Sequence, residues 1–280
     1  MNKGIIPINK PIGWTSFDVV NKLKYKLKPL KVGHLGTLDP MATGVLLVTV
    51  GKATKLFDIM QEKLKTYIAT FEFGYATDTL DATGEVTEKC SKIPSKEEVL
   101  AVLPEFIGKI SQIPPKYSAK SINGQRAYDL ARKGVEFELK AKQVEIYAIN
   151  IISYKDNKLQ LEIECGSGTY IRSIGRDIAE KLGSFATMTA LVRTKVGNFN
   201  INHCQDIKNI ENIDNFILPV KNILSYEEIK LSNENYNKIL NGQTIKTELD
   251  DGIYALNDAV DVVALVKIRD FKAKMSLFLG

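Results

Sequence analysis

The stretch "GHLGTLDPMATGVLLV" (residues 33–48) decides how the chain around it must fold. Its glycines permit backbone angles that other residues avoid, and Pro40 disfavours a helical conformation at Asp39. The apolar, β-branched run "VLLVTV" (45–50) follows and predicts a buried strand. We therefore expect a firmly aimed carboxylate in a loop that runs into a strand. This stretch alone is equally typical of a turn aspartate that bonds its own backbone.

Further strands and helices are predicted on both sides of this loop. Alternation of apolar and polar residues favours half-buried strands, and a capping box or a closing glycine marks the helices. The predicted strands are 65–73, 144–151, 158–165 and 189–199, and the predicted helices begin near Lys96, Ala127 and Tyr170. Strands outnumber helices without regular βαβ alternation, which predicts an α+β domain around a largely antiparallel mixed sheet.

Composition narrows the class of protein. Lys and Arg number 38 against 33 Asp and Glu, a net charge of +5 that slightly favours a polyanionic partner. The three cysteines are far apart and the two histidines lack partners at ligand spacing, so neither a disulfide framework nor a metal site is expected. No apolar run is long enough for a membrane helix, and the first residues lack a signal-peptide pattern. We expect a cytoplasmic protein.

The chain is predicted to divide near residue 222. Residues 1–222 form the larger domain. Within it, residues from about 109 to 134 make a proline-bounded excursion. Residues 223–280 carry a short helix and strand-like pieces, which indicates a small β-rich module that packs against the rest because it is short for an independent core.

Asp39 is the strongest candidate for chemistry. A single carboxylate without a metal or a Ser–His pair favours covalent, nucleophilic catalysis. Such a group needs an orienting cation, and Arg172 and Arg176 are the candidates; Arg172 lies near a helix start, where backbone N–H groups also favour anions. Glycoside hydrolysis needs a second carboxylate, for which Asp78 is available, although its stretch "TDTLDATG" reads equally well as a solvated loop.

Aromatic and basic residues suggest a nucleic-acid partner. Tyr67 lies on the predicted strand 65–73, where core packing and base stacking are both open. The excursion 109–134 interleaves lysines and arginines, among them Lys116 and Arg126, with tyrosines. This combination suits an RNA clamp, and long irregular excursions are uncommon in compact domains unless they are functional.

With these residues assembled, the chain resembles the bacterial tRNA pseudouridine synthase B family. Four motifs match in order: "NKPIGWTS" (9–16), "GHLGTLDPMATGVLLV" (33–48), "IPPKYSAKSINGQRAY" (113–128) and "CGSGTYIRSIGRDI" (165–178). Together they are far more specific than any one alone. Ser121 departs from the basic residue that relatives often carry, and the tail is short compared with a full PUA domain.

The resemblance implies a role for each candidate residue. Asp39 would be the nucleophile and Arg172 its ion-pair partner, while Tyr67 would stack on the target base. His34 would help to hold the T loop open, and Asp78 would belong to the active-site network. Residues expected to support the cleft are Lys10, Pro11, Tyr170 and Leu191.

The resemblance also implies a reaction and its partners. Uridine 55 in the T loop of tRNA would be flipped out and isomerised to pseudouridine, which requires no cofactor and no metal because nothing is added or lost. The expected fold is that of pseudouridine synthases with a PUA-like carboxy-terminal module. The expected partner is the T arm of tRNA, without a membrane or an obligate protein partner, and the chain is expected to be a monomer. The alternatives are a non-catalytic RNA-binding or tRNA-folding protein, a nucleosidase and an RNA-guided relative.

Overall fold

The computed structural model describes residues 3–61, 63–118, 120–122, 124–208, 210 and 213–280. The strands of the first half are β1 (Gly4–Lys10), β2 (Val32–Leu35), β3 (Thr43–Val50), β4 (Lys65–Phe73), β5 (Tyr75–Thr77), β6 (Val86–Lys89), β7 (Gly108–Gln112), β8 (Ser121–Ile122) and β9 (Gln125–Arg126). Those of the second half are β10 (Lys142–Lys155), β11 (Lys158–Cys165), β12 (Ala186–Val196), β13 (Phe199–Asn200), β14 (Gln205–Asp206), β15 (Ile245–Lys246), β16 (Gly252–Asn257), β17 (Val262–Arg269) and β18 (Lys272–Phe278). The α-helices are α1 (Ser16–Lys26), α2 (Phe57–Gln61), α3 (Lys96–Val102), α4 (Ala127–Arg132), α5 (Ile171–Lys181) and α6 (Asn233–Leu240).

The chain forms two compact units. One contains the described residues up to Asp39, then Val45–Gln61, and then the chain from Asn202 onwards; the other contains Pro40–Gly44 and the chain up to Ile201. These units cut the chain elsewhere than at residue 222, so the predicted functional domains 1–222 and 223–280 stay a prediction.

In the first unit β1 pairs in parallel with β14 and is followed in the sheet by β3, which pairs antiparallel with β2. The helix α1 begins at a capping box in which Thr15 and Asp18 bond each other's backbone N–H groups. Its apolar side buries Val19, Val20 and Leu23, so the helix is held by burial along one stripe.

The same unit contains a separate antiparallel sheet in the order β15-β18-β17-β16. Buried residues of its strands form a core with Ile239 of α6. The N-cap of α6 is Ser232, whose Oγ accepts a hydrogen bond from the Asn235 N–H. This sheet is the β-rich part that the tail was expected to form.

In the second unit the strands follow the order β12-β4-β11-β10-β7, and each neighbouring pair is antiparallel. The first two residues of β3, Thr43 and Gly44, pair in parallel with β12. The alternation predicted for residues 65–73 is confirmed, since every second residue of β4 is buried. An α+β fold with a large mixed sheet, mostly antiparallel, is therefore confirmed.

Two local interpretations were wrong. The stretch "TDTLDATG" does not lie entirely in a loop, because its first residue, Thr77, ends β5, which pairs with β6 across the loop 78–85. Residues 109–112 are not irregular, because they lie in β7 and pair with β10; the prolines that follow end the strand. The rest of the excursion contains the β8–β9 hairpin and α4, with residues 119 and 123 outside the described part.

Candidate active site

The loop that carries Asp39 is anchored on its amino-terminal side. The backbone N–H of Leu38 donates to Ser16 Oγ at 2.9 Å, which ties the residue before Asp39 to the first turn of α1. Asp39 itself is partly exposed. Lys10 is fully buried, and its Nζ donates to the carbonyls of Pro11 at 3.0 Å and Trp14 at 2.6 Å. Buried Lys10 therefore fixes the turn of the "NKPIGWTS" motif.

The residues after Asp39 are held against β12. Thr43 pairs with Val192 and Gly44 with Arg193. Gly44 has φ +103°, and a Cβ there would lie 2.2 Å from the Arg193 carbonyl oxygen. Only glycine allows so close an approach of the two backbones. Gly44 therefore fixes the point at which the loop ends and the pairing with β12 begins.

Tyr67 lies beside this contact in the second unit. Arg193 of β12 is paired with Tyr67 of β4 on one side and with Gly44 of β3 on the other. Tyr67 is 8% exposed, and Leu191 lies opposite Ala69, two residues further along β4. Residues 40–44 are thus separated from Tyr67 by one strand, β12.

Two buried cations lie close to Tyr67. Arg193 is 1% exposed, and Lys65 is buried with its Nζ donating to the Lys63 carbonyl at 2.8 Å. Burial, with the charge of Arg193 nearby, lowers the pKa of Lys65 to about 8. Opposite Lys65, burial raises the pKa of the Cys165 thiol to about 11, so this thiol is unsuited to nucleophilic chemistry.

Arg172 is buried and makes an ion pair with Asp81. The Nη1–Oδ2 distance is 3.3 Å, and the side chains are 6% and 5% exposed. Nη1 also donates to the Thr79 carbonyl at 2.9 Å, and Nη2 to the Tyr117 carbonyl at 3.1 Å. The guanidinium therefore joins α5, the loop 78–85 and the excursion.

Asp81 is held by its own loop. Its Oδ1 accepts hydrogen bonds from Thr79 Oγ1 at 2.9 Å and from the Thr83 N–H at 3.0 Å. These donors and the buried guanidinium hold the Asp81 carboxylate in one orientation. Sequence reasoning missed Asp81, because the stretch "TDTLDATG" was considered only for Asp78. The Asx-turn spacing of Asp81 to Thr83 was the available signal.

Asp78 supports the same loop without contacting Arg172 in any described bond. Its Oδ1 accepts the Glu85 N–H at 2.9 Å, which closes the loop. A hydrogen bond to the Asp78 carboxylate, with some burial, raises the pKa of the Tyr117 hydroxyl. Tyr117 of the excursion is therefore linked to Asp78 of this loop and, through its carbonyl, to Arg172 of α5.

The remaining predicted residues occupy distinct places. Tyr170 precedes α5 and exchanges two backbone hydrogen bonds with the Gln112 side chain, at 2.8 and 3.2 Å. Lys116 and Arg126 are exposed on the excursion. His34 lies in β2 opposite Val48. The predicted ion pair between Asp39 and Arg172, and the roles of all these residues, stay predictions.

Comparison with solved structures identifies the fold class of the protein. The structural neighbours include a chain of an H/ACA RNP bound to a substrate RNA containing 2′-deoxyuridine, with TM-score 0.74, 20% identity and coverage of 99% of this chain and 85% of that one. A chain of an archaeal box H/ACA sRNP complex gives TM-score 0.72 and 22% identity, covering 100% of this chain and 86% of that one. These likenesses establish the pseudouridine synthase fold.

The family follows from sequence. Residues 22–171 match the amino-terminal domain of the TruB family pseudouridylate synthases, and residues 172–225 match the tRNA pseudouridylate synthase B carboxy-terminal domain. The chain belongs to the TruB family and is an isomerase that makes pseudouridine. Proteins called tRNA pseudouridine synthase B from Clostridium kluyveri and Fusobacterium nucleatum are 41% and 43% identical to it, covering 97% and 96% of this chain and 98% and 96% of theirs. One from Mycoplasma mobile is 40% identical, over 99% of this chain and 95% of its own.

Proposed function

We propose that this chain converts uridine 55 in the T loop of tRNA to pseudouridine, with Asp39 as the nucleophile. The observation that carries the proposal is the near-full-length identity of about 40% to proteins called tRNA pseudouridine synthase B. The motif around Asp39 lies within the matched range. The hydrogen bond from the Leu38 N–H to Ser16 supports it, because it fixes the residue directly before Asp39.

The reaction breaks the N1–C1′ bond, turns the uracil and forms a C5–C1′ bond. The proton on C5 leaves and N1 gains one, so atoms balance without a cofactor. Asp39 would attack the sugar at C1′, attack the ring at C6, or assist a route in which a base removes a ribose proton. Tyr67 would stack on the extruded uracil, a contact worth about 1–3 kcal/mol, which offsets part of the few kcal/mol needed to flip the base.

Arg172 is assigned to this network as the cation that keeps the catalytic carboxylate aimed. Its described ion pair with Asp81 supports the role, because a guanidinium fixed by a buried acid and two carbonyls has little freedom to reorient. The proposed contact to Asp39 is part of the hypothesis and requires its own test by a double-mutant cycle.

The carboxy-terminal sheet is proposed to contact the phosphate backbone of the tRNA. In β17 and β18, Lys267 lies directly opposite Lys274 and Arg269 directly opposite Lys272, all exposed. Lys246 of β15 lies opposite Lys272 on its other side. Like charges directly opposite each other destabilise a sheet, so a row of them indicates a surface kept basic for a polyanion.

The test is Asp39→Asn assayed on tRNA. Binding is expected to stay within a few fold of the original protein while pseudouridine formation is abolished, measured by mapping pseudouridine after incubation. Turnover by this variant would reject the nucleophile. An RNA-binding protein without activity would form no pseudouridine in either form, and a nucleosidase would release free uracil and change the RNA mass. Activity on a bare T-arm stem-loop would separate the proposal from an RNA-guided mechanism.

A further inference from the structure

The exposed side of α1 carries aromatic rings that the reaction does not use. Phe17 is 64% and Tyr25 78% exposed, and they lie eight residues apart on a helix that buries Val19, Val20 and Leu23. Several large aromatic residues exposed on one helix indicate an interaction surface, whereas a single exposed apolar residue does not. We call this face, with Trp14 just before the helix, the α1 aromatic face.

Lysines accompany these rings. Lys22 Nζ lies 5.4 Å from the centroid of the Trp14 ring, and Lys28 Nζ lies 5.3 Å from that of Tyr25. Lys24 is exposed on the same side of the helix, between Phe17 and Tyr25 in sequence. The one acid of the helix, Asp18, accepts hydrogen bonds from the Thr15 N–H and hydroxyl in the capping box. The face therefore presents rings beside cations.

Helix geometry keeps the set together. Phe17, Asn21, Tyr25 and Lys28 are spaced by four, four and three residues, so they follow one stripe along the helix and the turn after it. The capping box at Thr15 fixes the start of the helix, and with it the positions of Trp14 and Phe17. An unstacked base needs a ring face, and its phosphate needs a nearby cation.

We infer that the α1 aromatic face binds unpaired nucleotides of an RNA, with bases on the rings of Phe17 and Tyr25 and phosphates near Lys24 and Lys28. The inference rests on the proposed function for the presence of RNA and adds a binding site to it. Charge complementarity selects nucleic acid over an acidic peptide, because stacking platforms interleaved with cations are the pattern that single-stranded RNA requires.

Trp14 allows a direct test, since it is the only tryptophan of the chain. The probe is an oligoadenylate of about ten nucleotides, within the usual range of site sizes for single strands; it contains no uridine that could be isomerised. The full chain is titrated, and Trp14 fluorescence and probe anisotropy are recorded. Quenching is expected on binding, because a base or phosphate arrives beside the ring.

Variants locate the contact. Phe17→Ala with Tyr25→Ala is expected to weaken oligoadenylate binding by about tenfold or more. Lys24→Gln with Lys28→Gln is expected to reduce the slope of log affinity against log salt by about 1.4, since each phosphate contact on a single strand contributes about 0.7. The matched control is Leu100→Ala, which shortens an exposed apolar side chain on α3 beside Glu97 and Glu98 and is expected to leave binding unchanged.

The outcomes separate this site from the catalytic one. Pseudouridine formation on tRNA is measured separately from oligoadenylate binding, so a failure of the proposed function would not hide a failure here. Unchanged binding in the Phe17 and Tyr25 variant, or absent binding in the original protein, would overturn the inference. Binding of phosphatidylglycerol vesicles in place of oligoadenylate, lost in the same variant, would also overturn it and assign the face to a membrane surface.

Discussion

Arg172 and Asp81 form a buried ion pair, 3.3 Å from Nη1 to Oδ2, in which the carboxylate is bonded by its own loop and the guanidinium by two carbonyls. The pair makes Asp81 the residue that orients Arg172 within the second compact unit. A buried pair costs little when both members are present, but removal of one leaves an uncompensated charge.

Asp81→Asn is therefore expected to lower turnover on tRNA strongly and to destabilise the fold by about 3–5 kcal/mol. Turnover and KM are measured on the folded fraction, and stability by urea unfolding. The matched control is Asp78→Asn, three residues away, because its amide oxygen can still accept the Glu85 N–H. A larger loss of turnover in the Asp78 variant would return the network role to Asp78.

Gly44→Ala is expected to disrupt the loop that ends at β3. The added Cβ would meet the Arg193 carbonyl, and the backbone is already in the left-handed region. Gly134→Ala is the matched control: its φ is +67° but no atom lies within 4 Å of the added Cβ, so only the strain of about 1–2 kcal/mol remains. Equal unfolding free energies for the two variants would contradict the close approach.

The exposed cations of the excursion are expected to contact phosphates. Lys116→Ala or Arg126→Ala should weaken tRNA binding and reduce its salt dependence by about one counterion each. Binding constants measured over a series of salt concentrations give the slope. Lys155→Ala, an exposed lysine beside Asp156 and outside the excursion, serves as control and should leave the slope unchanged. Unchanged slopes in all three variants would show that the excursion does not touch the backbone.

Lys274→Glu is expected to separate stability from binding. The change replaces the pair of cations with an ion pair to Lys267 and should stabilise the sheet by about 0.2–1 kcal/mol, while tRNA binding weakens. The reverse case is Lys109→Glu, which places two acids opposite each other at Glu145 and should lower stability. Stronger tRNA binding by the Lys274 variant would exclude a phosphate contact at this sheet.

The depressed pKa of Lys65 predicts a pH-dependent stability. Its pKa falls from 10.5 to about 8 on folding, so between these values the unfolded chain holds more protons and stability rises with pH. Below pH 8 the full cost of burying the charge is present. Lys65→Met should therefore unfold at higher urea than the original protein at pH 7, with the difference shrinking from pH 8 towards 10.5. A difference that does not change with pH would show that Lys65 stays charged in the fold.

The sequence predicted the parts of the fold that periodicity and capping determine. The alternation in 65–73, the box at Ser95 and Glu98, and the helix at Ala127 all appear as expected. It could not predict β5 or the start of β7, because strands of three to five residues at a sheet edge are stabilised by partners distant in sequence.

The candidate site shows the same division. Asp39, Tyr67 and Arg172 stand out because glycine, aromatic and helix-start patterns surround them. Asp81 and Arg193 do not, since their importance comes from what faces them: a guanidinium 91 positions later in sequence, and the backbone of Gly44 on the neighbouring strand. Pairing across such separations leaves no local pattern to read.

The bonds from Arg172 to both Thr79 and Tyr117 also bear on how the enzyme would respond to its substrate. The Arg172 side chain is bonded both to the excursion, which is expected to bind the RNA arm, and to the loop that contains Asp81. RNA binding at the excursion and the orientation of Arg172 would then be coupled. A shortened RNA that does not contact the excursion should therefore be turned over more slowly, even when it saturates the enzyme.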